Sequence, residues 1–156
     1  MTRFVPIRTR IGAAVAAVGL LAALAPGALG AAQVTRGDIH EFNGYGSTIT
    51  GRAQMVRTAD GKTIVSIHVE GLVPGTTYAS HVHAAACGTG LADGHYKFNP
   101  AGAAAPPNEI WPGPFTANEA GVGNADTIAD GTAGPAAVSV VIHAPGGSKI
   151  ACADLG

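Results

Sequence analysis

Four of the six histidines in this 156-residue chain stand where they could share one metal ion. His81-Val82-His83 ends the run Thr-Tyr-Ala-Ser-His-Val-His. In an extended strand, side chains two apart share a face, with Cα atoms ~6.5–7 Å apart. Two imidazoles so placed reach a common ion at ~2 Å. Taken alone, the pair describes equally well two polar side chains on an exposed strand face. His143 ends the apolar run Ala-Val-Ser-Val-Val-Ile-His, where an unpartnered imidazole is costly to bury. A core histidine bonded to a backbone carbonyl would also fit there. His95 lies in the turn-rich Ala-Asp-Gly-His-Tyr-Lys, where a lone histidine is more commonly a solvated loop residue. Two strand sites and one ordered loop would give four imidazoles. That set suits copper, zinc, iron or nickel, and with an open side it suits copper especially.

The elements that must position these residues read as strands. In Thr-Ile-Val-Ser-Ile-His-Val-Glu-Gly, Val65, Ile67 and Val69 face one way, and Ser66, His68 and Glu70 the other. Ile49, Gly51, Ala53 and Met55 alternate in the same manner, and Ala59-Asp60-Gly61-Lys62 reads as a hairpin turn. Further strands are expected over 77–83, 115–117, 123–128, 137–143 and 150–152. Residues 33–47 are polar and Gly-rich without a clear period. Between 84 and 114 the pattern dissolves into Gly, Ala and Pro around Cys87, His95, Glu109 and Trp111. So long an irregular stretch in a compact domain is usually functional or disordered, and a cysteine and a tryptophan within it argue for order. With Gly 23 and Pro 10, and no convincing helical stripe, the fold class is all-β: an antiparallel sandwich or Greek-key barrel.

Arg3, Arg8 and Arg10 precede an apolar run over 11–25, which Pro26, Gly27 and small residues follow. This is the layout of a secretory signal, with cleavage after Gly30 or Ala32. The run is short for a membrane span, which needs ~20 apolar residues. The reading is a Sec-type signal over 1–32, an N-terminal extension over 33–47 and a β-domain over 48–156. The product would be extracellular or in the cell envelope, with no stable membrane span. Cleavage would leave 6 basic against 10 acidic residues, a net charge of −4. Nothing in that balance points to a nucleic-acid partner. In an oxidising compartment the two cysteines, Cys87 and Cys152, are expected to form a disulfide rather than a metal pair.

Several motifs occur in a telling order. His-Val-His is followed four residues on by Cys87, then by Gly94-His95 with Asn99-Pro100. Val-Val-Ile-His143-Ala and Gly-Ser-Lys-Ile-Ala-Cys152 come after. This order resembles the Cu/Zn superoxide dismutase family over about residues 48–156. The resemblance implies copper ligands His81, His83, His95 and His143, the Cys87–Cys152 disulfide and a Greek-key barrel. No histidine lies between His95 and His143, and only eight residues separate His143 from Cys152. The family's zinc histidines would follow His95 and its long charged loop would follow His143, so the resemblance implies no zinc and a copper more open to solvent. Both features resemble the family's copper-only branch, as do Gly94-His95-Tyr96-Lys97 and Asn108-Glu109-Ile110-Trp111.

Without zinc, the outer nitrogen of His95 needs another acceptor. Glu109 is the candidate, and Asp93, only two residues from His95, the weaker alternative. The family's substrate-guiding arginine is replaced by Lys149, which keeps the charge but not the planar fork. Lys97 is a lesser source of positive charge, and His40 and His68 read as surface residues. The expected function is a secreted dismutase converting superoxide to O2 and H2O2 with one copper ion per chain. His95, Glu109 and Lys149 would act on protons and substrate. The alternative is a non-enzymatic extracytoplasmic copper-buffering protein using the same four histidines.

Overall fold

A computed structural model describes residues 1, 30–42 and 48–156. Most of the expected signal segment lies outside the described residues. Among those described, no helix is long and apolar enough to cross a membrane. Eight strands follow in order: β1 Gln33–Glu41, β2 Thr50–Arg57, β3 Lys62–Glu70, β4 Thr77–His83, β5 Phe115–Thr116, β6 Gly123–Asp130, β7 Ser139–His143 and β8 Lys149–Asp154. They form one antiparallel sheet in the order β5-β4-β7-β8-β1-β2-β3-β6. β5 also touches β6, so the two ends of the sheet meet and the barrel nearly closes. Because β3 neighbours β6 and β4 neighbours β7, the chain crosses the barrel twice, which is Greek-key connectivity.

Alternation along the strands fills the interior. Ala53, Met55, Val65, Ile67, Val69, Tyr78, Val82, Val140, Ile142 and Ile150 all point into one core. In β4 the inward set is Tyr78, Ser80 and Val82, so His81 and His83 necessarily lie on the outer wall. In β7, Val140 and Ile142 point in, which puts Val141 and His143 outside.

One expectation needs correction. The first nine residues of the stretch read as an aperiodic extension form β1, paired with β2 from Gln33 to His40 and with β8 at His40 and Glu41. Its pattern was invisible because Ile39 alone is fully buried, while Val34 stays exposed. Backbone pairing holds this strand in place. The chain also crowds it: a Cβ on Gly37 would lie 1.9 Å from the Asp154 carbonyl oxygen.

Where the barrel closes, Phe115 stacks on Tyr78 with ring centroids 5.9 Å apart and covers Gly123. A Cβ at Gly123 would lie 2.3 Å from the Phe115 ring. Gly123→Ala should therefore destabilise the barrel by about 1–3 kcal/mol, as overpacking does. A lowered urea midpoint would register this. An unchanged midpoint would mean that Phe115 does not seal the β5–β6 seam.

Candidate metal centre

The stretch from 84 to 114 folds back over the outer wall of β4 and β7. It is ordered by backbone pairing, by a disulfide and by apolar side chains packed against the barrel. His83 pairs with His95, and Lys97 with Glu109, in two isolated bridges. Val82 N–H donates to the Ile110 carbonyl, and Tyr96 N–H to the Val82 carbonyl. Ile110 thus turns into the barrel core with Val82, while Glu109 and Trp111 take the outer side with His81. Cys87 is bonded to Cys152 of β8 as expected. Ala92, Val141 and Cys152 form a second small apolar cluster beneath the loop, with Phe42 and Cys87 packed against it.

Four imidazoles meet under this cover. His81, His83, His95 and His143 each offer a nitrogen, and these atoms lie within 4.8 Å of one another. The closest rings are His81 and His95, with centroids 4.2 Å apart. Hydrogen bonds select the inward nitrogen of three of them. His83 Nδ1 donates to the carbonyls of Ala92 at 2.7 Å and Asp93 at 2.9 Å. His143 Nδ1 donates to the Gly147 carbonyl at 3.1 Å. A carbonyl only accepts, so both rings carry their proton on Nδ1 and present the Nε2 lone pair. His95 Nδ1 lies 2.7 Å from Glu109 Oε2, which leaves its Nε2 for the centre. The nitrogens His81 Nδ1, His83 Nε2 and His143 Nε2 are buried without any hydrogen-bond partner. These orphaned lone pairs are what a metal ion would satisfy, so the four residues fit one.

Burial makes the rings poor bases. It is the main cause lowering His81 to about 3, with the neighbouring His95, His143 and His83 adding repulsion. Burial likewise lowers His83 to about 4, against the opposing pull of the Ala92 and Asp93 carbonyls. His143 is lowered too, by burial first. All three therefore stay neutral, as ligation requires.

Glu109 is buried, and its Oε2 accepts from Trp111 Nε1 at 2.8 Å as well as from His95. Asp93 contributes its backbone carbonyl to the site and makes no side-chain bond to His95. Lys149 pairs across the sheet with His143, and its positive charge helps to lower that histidine. Its Nζ donates to the carbonyls of Leu91 at 2.9 Å and Asp93 at 2.6 Å. Leu91 and Ala92 hold left-handed backbone, with φ of 55° and 57°. That conformation costs a non-glycine residue roughly 1–2 kcal/mol. Here it turns three successive carbonyls toward His83 and Lys149. Lys97 Nζ reaches the Gly102 carbonyl. His40 is exposed, and His68 lies on the far sheet surface bonded to Asn124 and Glu70.

Sequence reasoning did not find the carbonyls of Ala92, Asp93 and Gly147, which no side-chain pattern reports. It noted Trp111 without assigning it a contact. The signal was its place two residues after Glu109, on the same face of an extended segment.

A Greek-key barrel with four imidazoles on its outer wall and a disulfide-tied loop above them has the Cu/Zn superoxide dismutase fold. Solved structures agree. The clock protein EA4 is similar with a TM-score of 0.58 at 18% identity, over 81% of this chain and 96% of that one. Two variants of superoxide dismutase 5 from Candida albicans each give a TM-score of 0.51. One is 17% identical over 79% of this chain and 89% of its own, the other 21% identical over 78% and 90%. No protein-family model matches the chain, and no curated protein matches its sequence. The likeness is one of fold.

The depressed histidines have a consequence for stability. Below the ordinary pKa of 6.5, the unfolded chain binds protons at His81 and His83 that the folded metal-free protein refuses. Stability must then fall as pH drops from about 6.5 toward 4. Urea midpoints of metal-free protein should decrease over that window, and a His81→Gln variant should show a shallower decrease. A midpoint independent of pH across the window, in both proteins, would contradict burial of neutral imidazoles.

Proposed function

We propose that the protein is an exported superoxide dismutase that uses one copper ion per chain and no zinc. The observation that carries this reading is the convergence of three buried, unpartnered imidazole nitrogens with His95 in one cluster. A neutral, all-nitrogen donor set of this kind suits copper. His81, through Nδ1, and His83, His95 and His143, through Nε2, would hold the ion. When bound, copper would supply the one-electron chemistry by which one superoxide becomes O2 and a second, with two protons, becomes H2O2.

The chain's own residues supply position and protons. The Ala92, Asp93 and Gly147 carbonyls keep His83 and His143 in the ligating tautomer. Glu109 keeps the Nδ1 proton of His95 directed away from the centre, so Nε2 is the atom at which His95 can take up and deliver a proton. His95 is accessible enough for this task, with a side chain 29% exposed beside a Glu109 side chain only 1% exposed. Lys149 places a positive charge near His143, where a small anion would be drawn in. The disulfide supports an oxidising, extracytoplasmic setting, outside the cell or in its envelope.

A second reading, extracytoplasmic copper buffering without catalysis, is favoured by the tether on Lys149. Its ammonium is engaged by two carbonyls instead of standing free toward a substrate. Copper-loaded protein assayed for superoxide removal over a range of ionic strengths separates the two. The dismutase reading expects activity well above that of free copper, falling as salt screens the attraction. Tight copper binding with activity no greater than free copper would overturn it in favour of buffering.

A further inference from the structure

We infer that Trp111 is a positioning residue, which fixes the strand ligand His81 and the loop ligand His95 relative to each other. The inference rests on reading the histidine cluster as a metal centre, and it extends that reading to a residue outside the ligand set.

His81 and His95 reach the centre from different parts of the fold. His81 is fixed by β4, whereas His95 rides on the loop, which meets β4 at the bridge between His95 and His83. Theirs is nonetheless the shortest ring separation in the cluster, at 4.2 Å. Trp111 touches both sides of this pair. Its ring lies against His81 with centroids 4.8 Å apart and planes inclined at 51°. Its Nε1–H donates to Glu109 Oε2, the same oxygen that accepts from His95 Nδ1. The other oxygen, Oε1, is buried without a partner. The two donors on Oε2 are therefore the only hydrogen bonds that aim this buried carboxylate among the described residues. With the indole N–H removed, His95 would be the only group left to orient it. The carboxylate could then rotate, and His95 would lose the constraint that presents Nε2 to the centre.

The contacts also explain why the residue is a tryptophan. Phenylalanine could cover His81 but not donate to Glu109. A side chain with a donor but no broad ring could hold Glu109 but not pack on His81. The indole does both in one rigid plane.

The test uses Trp111→Phe, which keeps a ring against His81 and removes the donor. In metal-free protein at neutral pH, nitrogen NMR of the histidine rings should show His95 as a single Nδ1–H tautomer in the parent and as a mixture in the variant. Copper(II) affinity, measured by competition with a chelator, should weaken by about tenfold or more, as loss of such an outer partner typically does. The copper(II) EPR spectrum should show a second coordination form. The melting temperature of metal-free variant should remain close to the parent's, which separates positioning from a structural role. A parent-like tautomer, affinity and EPR spectrum in the variant would overturn the inference while leaving the metal centre intact. A parent that binds no copper, with the tautomer mixture still appearing in the variant, would overturn the metal reading and support the positioning role. One measurement needs no variant. Trp111 is the chain's single tryptophan, so its indole N–H resonance is unambiguous. It should exchange slowly with solvent, and exchange as fast as in a free indole would contradict the bond to Glu109.

Discussion

A buried polar group left without a hydrogen-bond partner costs on the order of 1–3 kcal/mol, and this protein keeps three such nitrogens side by side on His81, His83 and His143. The rest of the architecture is arranged around that cost. The barrel interior is filled by aliphatic and aromatic side chains from almost every strand, which supplies a core independent of the site. The histidines stand on the outside of the same wall, so their alternation with Val82 and Ile142 is what binds fold and site together. A strand that buries Val82 inward has no choice but to present its neighbours outward. Sites of chemistry are where such locally unfavourable arrangements are retained.

Covering the imidazoles is the task of the long connection between β4 and β5. It is held by a few strong fixtures: the disulfide to β8, two backbone bridges, and the carbonyls that turn inward at residues 91 to 93. The Asp93 carbonyl serves two donors, His83 and Lys149. The lysine thereby couples β8 to the loop at the point where the tautomer of His83 is decided. Positive charge and loop geometry are thus not separate features of this site. The same ammonium contributes to both, and replacing it alters the loop as well as the field.

Much of this was legible in the residues. The alternation of Val65, Ile67 and Val69 fixed the inward face of β3, the family resemblance carried by the order of the histidines and cysteines implied the barrel, and the need of His95 for an acceptor in place of zinc pointed to Glu109. What stayed hidden was whatever the backbone does. β1 escaped notice because pairing, not apolar period, holds it. The tautomers of His83 and His143 depend on carbonyls at 92, 93 and 147, which any residue could supply. The tether on Lys149 depends on two left-handed residues, Leu91 and Ala92, that are not glycine. The turn that carries them is set by the disulfide and the second small core, which are tertiary facts.

The central claim is that one ion sits among four particular imidazoles beside a single indole. Titrating metal-free protein with copper(II) while following tryptophan emission tests it directly, because Trp111 lies 4.8 Å from the His81 ring and a paramagnetic ion held there must quench it. The account predicts strong quenching with a sharp break at one equivalent, and loss of that break when His81 and His143 are both replaced by Gln. Emission that declines gradually without a break, or a break that survives those replacements, would contradict it.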